Sequence, residues 1–467
     1  MDCFIKMNTK TDKRPGQRRR IGWVLACLMG AAPGARSQTP DNDIRRDASV
    51  LAVEKVMPSV VNIATETIIH VRDPFEEFFR QFYHRPQSQY SLGSGVVIDE
   101  AGYLLTNDHV VLRADKIAVK FCTGTNVYEA TVVASDSKSD VALLKLKARP
   151  GEKFSAIRFA PPDDLLLGET VLAMGNPLGL GGSVSHGILS SKSRTVAKEG
   201  EPLDIPNWLQ TDAPINFGNS GGPLVNLRGE LIGINVAVLH NFQGEVAEGI
   251  GFAIPIRRVL EALSDIFPTE FVKTFWFGAR VNVGTTPLVV MSVQPQSPAG
   301  QAGLKPGDAI VQVNGKSPKS FIDFTDLLAA NSANEISLKI QRGTTRKDVA
   351  VRLVPEKSVF HAGLIRDKLG LNLEEVTPEL ADRYGVRASE GYVITGVLAD
   401  GPAAAAGLER GILVTAIDGQ TPADLTAAAK LLYSKKKGDR VLLDIAVRQR
   451  VGNYFVLRQG SVELASR

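Results

Sequence analysis

A serine in a glycine-rich loop is the first feature of this 467-residue sequence that could do chemistry. The loop at 217–224 reads FGNSGGPL, with Ser220 at its centre. Glycines let the backbone turn sharply, so that consecutive N–H groups can point at one spot without obstruction by a Cβ atom. The loop therefore offers a hydroxyl nucleophile and candidate oxyanion donors, the amides of Gly218, Asn219 and Ser220. A polar hairpin turn would use the same residues, and the loop alone does not decide between the two.

A histidine and an aspartate accompany this serine in a recognisable order. His109 follows an apolar run in TNDHVV at 106–111, and Asp140 precedes another in SDVALL at 139–144. Either residue alone is more often structural than catalytic. The chain order His109, Asp140, Ser220 is that of chymotrypsin-like proteases and differs from that of subtilisins and α/β-hydrolases. Within a β-rich region, the three together favour a catalytic interpretation.

The elements that must position these residues are predicted to be mainly β-strands. Short β-like runs separated by turn signals begin at about residue 92, as in sandwiches and barrels; they include 95–98, 103–106, 130–134, 142–146, 170–174 and 230–236. Helical periodicity is confined mainly to the edges, at 47–57 and 256–266. The second helix would close the domain before Pro268.

The C-terminal part of the chain contains an internal repeat at an offset of 104 residues. SPAGQAGL at 297–304 recurs as GPAAAAGL at 401–408, and an Asn-Gly pair at 314–315 recurs as Asp-Gly at 418–419. A period of domain size indicates tandem modules rather than a solenoid, whose units are far shorter. Each copy follows a glycine between apolar residues, in the loops Phe277-Gly278-Ala279 and Leu369-Gly370-Leu371. Such loops can hold a peptide carboxylate on backbone N–H groups. For either loop alone, an ordinary turn before a strand would be the better interpretation.

Several motifs, taken in order, resemble the HtrA (Deg) family of serine proteases. They are TNDHVV at 106–111, SDVALLK at 139–145, GNPLGL at 175–180, LQTDAPINFGNSGGPL at 209–224 and GFAIP at 251–255. The resemblance implies His109 as general base, Asp140 as its orienting partner and Ser220 as nucleophile. It also implies a chymotrypsin-like double β-barrel followed by two α+β PDZ modules. The expected boundaries are a signal peptide at 1–37, the protease at 38–267 and the PDZ modules at 270–355 and 362–460.

The basic surplus of the chain lies in its leader. Residues 1–38 carry eight Lys/Arg and two Asp, a local charge of +6 that leaves about −2 for the rest of a chain whose net charge is +4. An arginine run at 18–20, an apolar stretch of twelve at 21–32 and the small-x-small site Ala35-Arg36-Ser37 are typical of an export signal. Twelve apolar residues are too few to span a membrane. We therefore expect an exported, periplasmic protein, and a basic nucleic-acid-binding face is not expected.

An aromatic and charged insert at 73–91 precedes the first motif. Phe75, Phe78, Phe79, Phe82 and Tyr83 are crowded into nine residues otherwise rich in charge. Exposed apolar patches usually mark contacts, and the resembling family forms trimers with a long loop near the N-terminus that reaches towards a neighbour's active site. We therefore expect a trimer or a multiple of trimers, although the rings could instead fold back on their own domain.

Other chemistries find little support in the sequence. The histidines other than His109 form no metal-ligand pattern, and the glycine-rich segments lack the lysine and spacing of a phosphate loop, so no metal, cofactor or nucleotide is expected. Outside the leader Cys122 stands alone, and a half-buried strand thiol is the expected state. The favoured function is an ATP-independent serine endopeptidase for unfolded or damaged envelope proteins. The alternative is a PDZ-based chaperone or scaffold with secondary proteolysis.

Overall fold

The structure is a computed structural model, and it describes residues 43–68, 88–176, 181–194, 207–216, 218–240, 246–332, 335–384, 391–451 and 454–467. The chain divides into two units, Met1–Arg46 and Asp47–Arg467, and every element named below belongs to the second. The predicted leader at 1–37 and residues 73–87 of the predicted insert lie outside the described residues.

Six strands close into a first barrel. They are β1 (Val60–Ile68), β2 (Ser88–Asp99), β3 (Tyr103–Thr106), β4 (Lys116–Phe121), β5 (Val127–Asp136) and β6 (Val141–Leu146), in the closed order β1-β2-β3-β6-β5-β4. Successive side chains of a strand face opposite sides, so Ile117, Val119 and Phe121 of β4 enter the barrel core. Helix α1 (Ala48–Val56) precedes the barrel, capped by the Asp47 side chain at the Val50 amide, and α2 (Asp108–Val111) follows β3.

A second barrel follows in sequence. Its strands are β7 (Arg158–Phe159), β8 (Thr170–Gly175), β9 (Ser183–Arg194), β10 (Trp208–Thr211), β11 (Pro223–Asn226), β12 (Glu230–His240) and β13 (Val246–Pro255). Strand β11 pairs with both β8 and β12, which closes six strands, and β7 joins β12 in parallel. Helix α3 (Ile256–Ile266) ends this region. The helices predicted at 47–57 and 256–266 are thereby confirmed.

Two five-stranded sheets with the same connectivity form the C-terminal part. The first holds β16 (Ala279–Val281), β17 (Leu288–Val293), β18 (Ala309–Val313), β19 (Glu335–Arg342) and β20 (Thr345–Arg352), with α4 (Pro298–Gln301) and α5 (Phe321–Ala329). The second holds β22 (Leu371–Glu375), β23 (Tyr392–Val397), β24 (Leu413–Ile417), β25 (Arg440–Val451) and β26 (Tyr454–Ala465), with α6 (Ala362–Leu369), α7 (Pro378–Tyr384), α8 (Pro402–Ala405) and α9 (Leu425–Tyr433). A small three-stranded sheet accompanies the first module. Its strands β14 (Phe271–Val272) and β15 (Phe275–Trp276) precede that module in the chain, and β21 (Val354–Pro355) follows it. The predicted fold class, a double β-barrel followed by two α+β modules, is confirmed.

The two modules differ at one buried charge. In the first, Arg342 donates from Nε and Nη2 to both oxygens of Asp308 at 2.6 and 2.7 Å, and the Asp308 carboxylate is 1% exposed. The strand register that pairs Ala309 with Gln341 pairs Leu413 with Ala446 in the second module. Ile412 and Val447 therefore occupy the corresponding positions in the second module, where no ion pair can form.

Candidate active site

His109 lies on a short helix that the first barrel holds in place. Helix α2 begins after Asn107, and its Val110 and Val111 are buried. The His109 side chain is 49% exposed. The imidazole thus faces solvent while the helix that carries it is fixed to the core.

The Asp140 carboxylate forms two hydrogen bonds with His109. Its Oδ1 accepts the His109 backbone N–H at 3.0 Å, and its Oδ2 lies 2.8 Å from His109 Nδ1. The Asp140 carboxylate is 7% exposed, and its backbone φ of 54° lies in the left-handed region that Asp and Asn tolerate best among residues with a Cβ. A proton shared between Nδ1 and the carboxylate leaves Nε2 free to act as a base.

The Ser220 hydroxyl points elsewhere in this structure. Ser220 Oγ donates to the carbonyl oxygen of Val236 on β12 at 2.6 Å. A hydroxyl has one proton to donate, so in this conformation it is not donated to His109. The structure therefore brings His109 and Asp140 together. The hydroxyl of Ser220, the third predicted residue, is instead hydrogen-bonded to Val236 O in its own barrel.

The amides of the glycine-rich loop are also partly engaged. The Asn219 amide donates to Asn216 O at 3.0 Å, the Gly221 amide to Asn235 O at 2.8 Å and the Gly222 amide to Asn219 O at 2.9 Å. The Asn219 amide, predicted as an oxyanion donor, is thus used within the loop in this conformation. The predicted donors Gly218 and Ser220 flank it, and Gly218 has the positive φ of 97° that favours glycine.

Gly221 lets this loop approach the first barrel. Its φ is +82°, and a Cβ there would lie 2.2 Å from Ser94 O and 2.3 Å from Thr106 Oγ1. Only glycine avoids both the backbone strain and the collisions. Because Thr106 directly precedes Asn107 and α2, this contact sets the Ser220 loop beside the helix of His109.

Ser94 on β2 is a site residue that the sequence analysis missed. Its amide donates to Ser220 O at 2.8 Å, and its hydroxyl donates to Gly218 O and accepts the Asn176 amide at 2.8 Å. Its carbonyl accepts the Thr106 hydroxyl at 2.7 Å, and the side chain is fully buried. The segment Gly93-Ser94-Gly95 could have drawn attention to it, since Gly93 is also closely packed, with a Cβ position 2.7 Å from Val110 Cγ1.

The two predicted peptide-binding loops have left-handed glycines, as a tight loop requires. Gly278 has φ 83° and Gly370 has φ 73°. The amides of Phe277 and Gly278 both donate to Glu270 O, at 2.8 and 2.9 Å, whereas the Gly370 amide donates to Arg366 O at 2.8 Å and caps α6. The flanking residues Phe277, Ala279, Leu369 and Leu371 are buried. In both loops the glycine amide already has a partner from its own chain.

The surroundings of the Cys122 thiol determine its protonation state. Cys122 is half-buried, as predicted, but it lies in the turn directly after β4 and not within the strand. Burial raises the pKa of its thiol to about 11, against a smaller lowering by a hydrogen bond to Asn176, so the thiol is protonated at neutral pH.

Among the described residues, no group of three or more His, Cys, Asp and Glu side chains could hold a metal ion. In the same part of the chain, no helix is long and apolar enough to cross a membrane.

Comparisons with known proteins identify the domains of the chain. Residues 93–234 match the trypsin-like peptidase domain, and residues 289–342 and 393–447 match the PDZ domain. The periplasmic serine endoprotease DegP of Escherichia coli K12 is 33% identical over 473 residues, which cover 89% of this chain and 93% of that protein. A probable periplasmic serine protease do/HhoA-like of Haemophilus influenzae is 34% identical over 448 residues, covering 89% and 93%.

The chain belongs to the HtrA (Deg) family of serine proteases. It is a serine endopeptidase of the type with two PDZ domains, whose curated relatives are named as periplasmic. Among solved structures, the serine endoprotease from Yersinia pestis is 32% identical, with a TM-score of 0.36, over 66% of this chain and 97% of that one. The HtrA-type protease AlgW with decapeptide is 30% identical, with a TM-score of 0.39, over 66% and 98%.

Proposed function

We propose that this HtrA protease cleaves unfolded or damaged proteins of the cell envelope through an acyl-enzyme, without ATP. The observation that carries the proposal is the doubly hydrogen-bonded pair of His109 and Asp140, set beside a glycine-rich loop that carries Ser220. This pair has the geometry that a hydroxyl nucleophile needs from a base and its orienting group. The PDZ domains, which bind extended peptide ends in other proteins, suit substrates that expose their backbone.

In the proposed reaction, the Ser220 hydroxyl leaves Val236 O and donates to His109 Nε2. His109 takes the proton while Ser220 Oγ bonds to the carbonyl carbon of the substrate, and Asp140 stabilises the imidazolium that forms. His109 then gives the proton to the departing amine as the C–N bond breaks, which leaves an ester on Ser220. A water molecule gives a proton to His109 as its oxygen attacks the ester carbonyl carbon. His109 then returns that proton to Ser220 Oγ as the ester bond breaks, which releases the new carboxyl end and restores the Ser220 hydroxyl.

We assign the oxyanion to the amides of Gly218 and Ser220. Negative charge that develops on the substrate carbonyl oxygen is stabilised by fixed N–H donors. Asn219 can add a third donor only if its amide leaves Asn216 O. We infer that the loop changes conformation between the state described here and the reacting state.

The surroundings of the enzyme are part of the same proposal. The export-signal pattern at 1–37 and the periplasmic names of the relatives support action in the periplasm, with the leader removed. The aromatic insert at 73–91 supports a trimer or a multiple of trimers. The partners are then unfolded proteins, peptide ends and further copies of the chain.

A chaperone or scaffold with secondary proteolysis is the second candidate. One observation favours it, namely the bond from Ser220 Oγ to Val236 O, which keeps the hydroxyl from His109. A chain resting in this state would bind unfolded proteins without cutting them.

Cleavage of an unfolded protein tests both candidates. Purified chain is incubated with unfolded casein in the absence of ATP, beside Ser220→Ala and a control, Ser461→Ala, which removes an exposed hydroxyl on β26. We expect cleavage by the unchanged chain and by the control, and a loss of about 10⁶ in turnover for Ser220→Ala. Equal cleavage by Ser220→Ala would overturn the proposal. Prevention of casein aggregation without cleavage by any form would favour the scaffold.

A further inference from the structure

The segment that joins the protease to its first PDZ domain lies against that domain. We call residues 267–270, which follow α3, the linker. The linker ends at Glu270, whose backbone carbonyl accepts the Phe277 and Gly278 amides at 2.8 and 2.9 Å. These are two of the amides that were predicted to bind a peptide carboxylate. An oxygen of the chain itself therefore occupies the place of a carboxylate oxygen.

The linker also uses the outer edge of β16. This strand is the edge of its sheet, and a peptide that adds to an edge bonds to the free N–H and C=O groups of alternate residues. Here the Val281 amide donates to Thr269 Oγ1 at 3.0 Å, and the Thr269 hydroxyl lies 3.4 Å from Ala279 O. A side-chain hydroxyl thus takes the two edge groups that an incoming strand would need.

Side chains of the linker and of the domain complete the contact. The rings of Phe267 and of Phe321 on α5 pack in a T-shaped arrangement, with centroids 5.3 Å apart. Glu270 Oε1 accepts Arg280 Nε at 2.6 Å. Thr269 is 1% exposed and Glu270 is 6% exposed. Because these residues are buried, the linker packs against the domain in a fixed position.

We propose that the linker is the internal ligand of the first PDZ domain, and that an external peptide carboxylate binds there only by displacing it. The proposal rests on the inferred role of the PDZ loops in binding peptide ends. A tethered ligand competes at a high effective concentration, because it never diffuses away. External peptides therefore bind this domain more weakly than its loop alone would allow.

Crosslinking on the full chain tests the internal ligand. The chain carries Ser220→Ala, so that the probe is not cut, and the probe is a decapeptide with an apolar C-terminal residue, a free carboxylate and a photoreactive group. Binding is compared among the otherwise unchanged chain, Thr269→Val, and Thr269→Val combined with Phe267→Ala. Thr345→Val, on the far strand β20, is the matched control. Thermal unfolding verifies that each variant folds, and the near-isosteric Thr269→Val retains the aromatic contact.

We expect crosslinks at 277–281 to increase about tenfold in the double variant and less in Thr269→Val, because each change removes part of the competing contact. The control leaves them unchanged, and a probe with an amidated C-terminus gives none. Equal crosslinking at 277–281 in all forms would overturn the proposal, and so would the absence of crosslinks there in the double variant. The assay reads binding alone, so it stands apart from any failure of proteolysis.

Discussion

The two barrels differ in whether their catalytic candidates already form the hydrogen bonds that the reaction needs. In the first barrel, His109 and Asp140 hold each other through two hydrogen bonds on elements anchored in the core. In the second barrel, Ser220 and Asn219 hold partners from their own barrel, Val236 O and Asn216 O. One half of the site is therefore assembled, and the other half must rearrange before it can react.

The difference follows from what each half has available. Asp140 is buried, and its two carboxylate oxygens both accept from His109, one from the backbone amide and one from the imidazole. In the Ser220 loop, the hydroxyl of Ser220 and the amide of Asn219 instead donate to neutral backbone carbonyls, Val236 O and Asn216 O. A hydrogen bond contributes about 1 kcal/mol net, so a ligand needs only modest differential affinity to shift the loop between states. The second barrel is thus the half whose hydrogen bonds must change before the site can react.

The largest effect that tests this comparison is expected from Asp140→Asn. Asparagine keeps the shape and tolerates the left-handed backbone, but it stabilises neither the required tautomer nor the imidazolium. Turnover of unfolded casein should fall by about 10⁴. The control is Asp348→Asn on the exposed face of β20. A loss below tenfold would mean that the assembled half contributes little.

Ser94→Ala should have the next largest effect, since it removes the hydroxyl that joins Gly218 O to the Asn176 amide. Each lost bond is worth about 1 kcal/mol, so kcat should fall by about ten- to thirtyfold while KM changes little. Ser59→Ala removes another buried hydroxyl, one that donates to Val56 O at 2.7 Å away from the site. If both variants lower the melting temperature equally and kcat equally, Ser94 is structural and does not position the loop.

A smaller effect is expected on stability from Ser220→Ala. The variant loses the bond to Val236 O, so the free energy of unfolding should fall by about 1 kcal/mol. The low-field NMR signal of the His109 Nδ1 proton should persist, because the bond to Asp140 lies in the other half. Disappearance of that signal would show that the halves are coupled already at rest.

The smallest effect on activity is expected at Cys122, beside the boundary of the two barrels. Its raised pKa of about 11 keeps the thiol neutral, so alkylation by iodoacetamide should be slow at pH 7 and accelerate as pH rises towards 11. Cys122→Ser should change turnover less than twofold. Rapid alkylation at pH 7 with loss of activity would contradict this assignment.

Much of the architecture was predictable because local patterns carry it. The edge helices at 47–57 and 256–266 follow from their periodicity, and the tandem modules follow from a repeat with the same turn signals. The left-handed glycines at 278 and 370 follow from the tight loops that need them. The second module departs from the first at Ile412, where the sequence already lacks the aspartate of the first module.

The sequence by itself determined which side chains are present and in what order, and hence the family, the β-rich fold and the candidate His109, Asp140 and Ser220. Only the tertiary structure decided which groups these residues meet. Ser94 is separated by more than eighty residues from Asn176, and Glu270 O competes with an external carboxylate that the chain does not encode. Hydrogen-bond partners are chosen by competition among all the groups that folding brings within about 3 Å, and no local pattern contains that set.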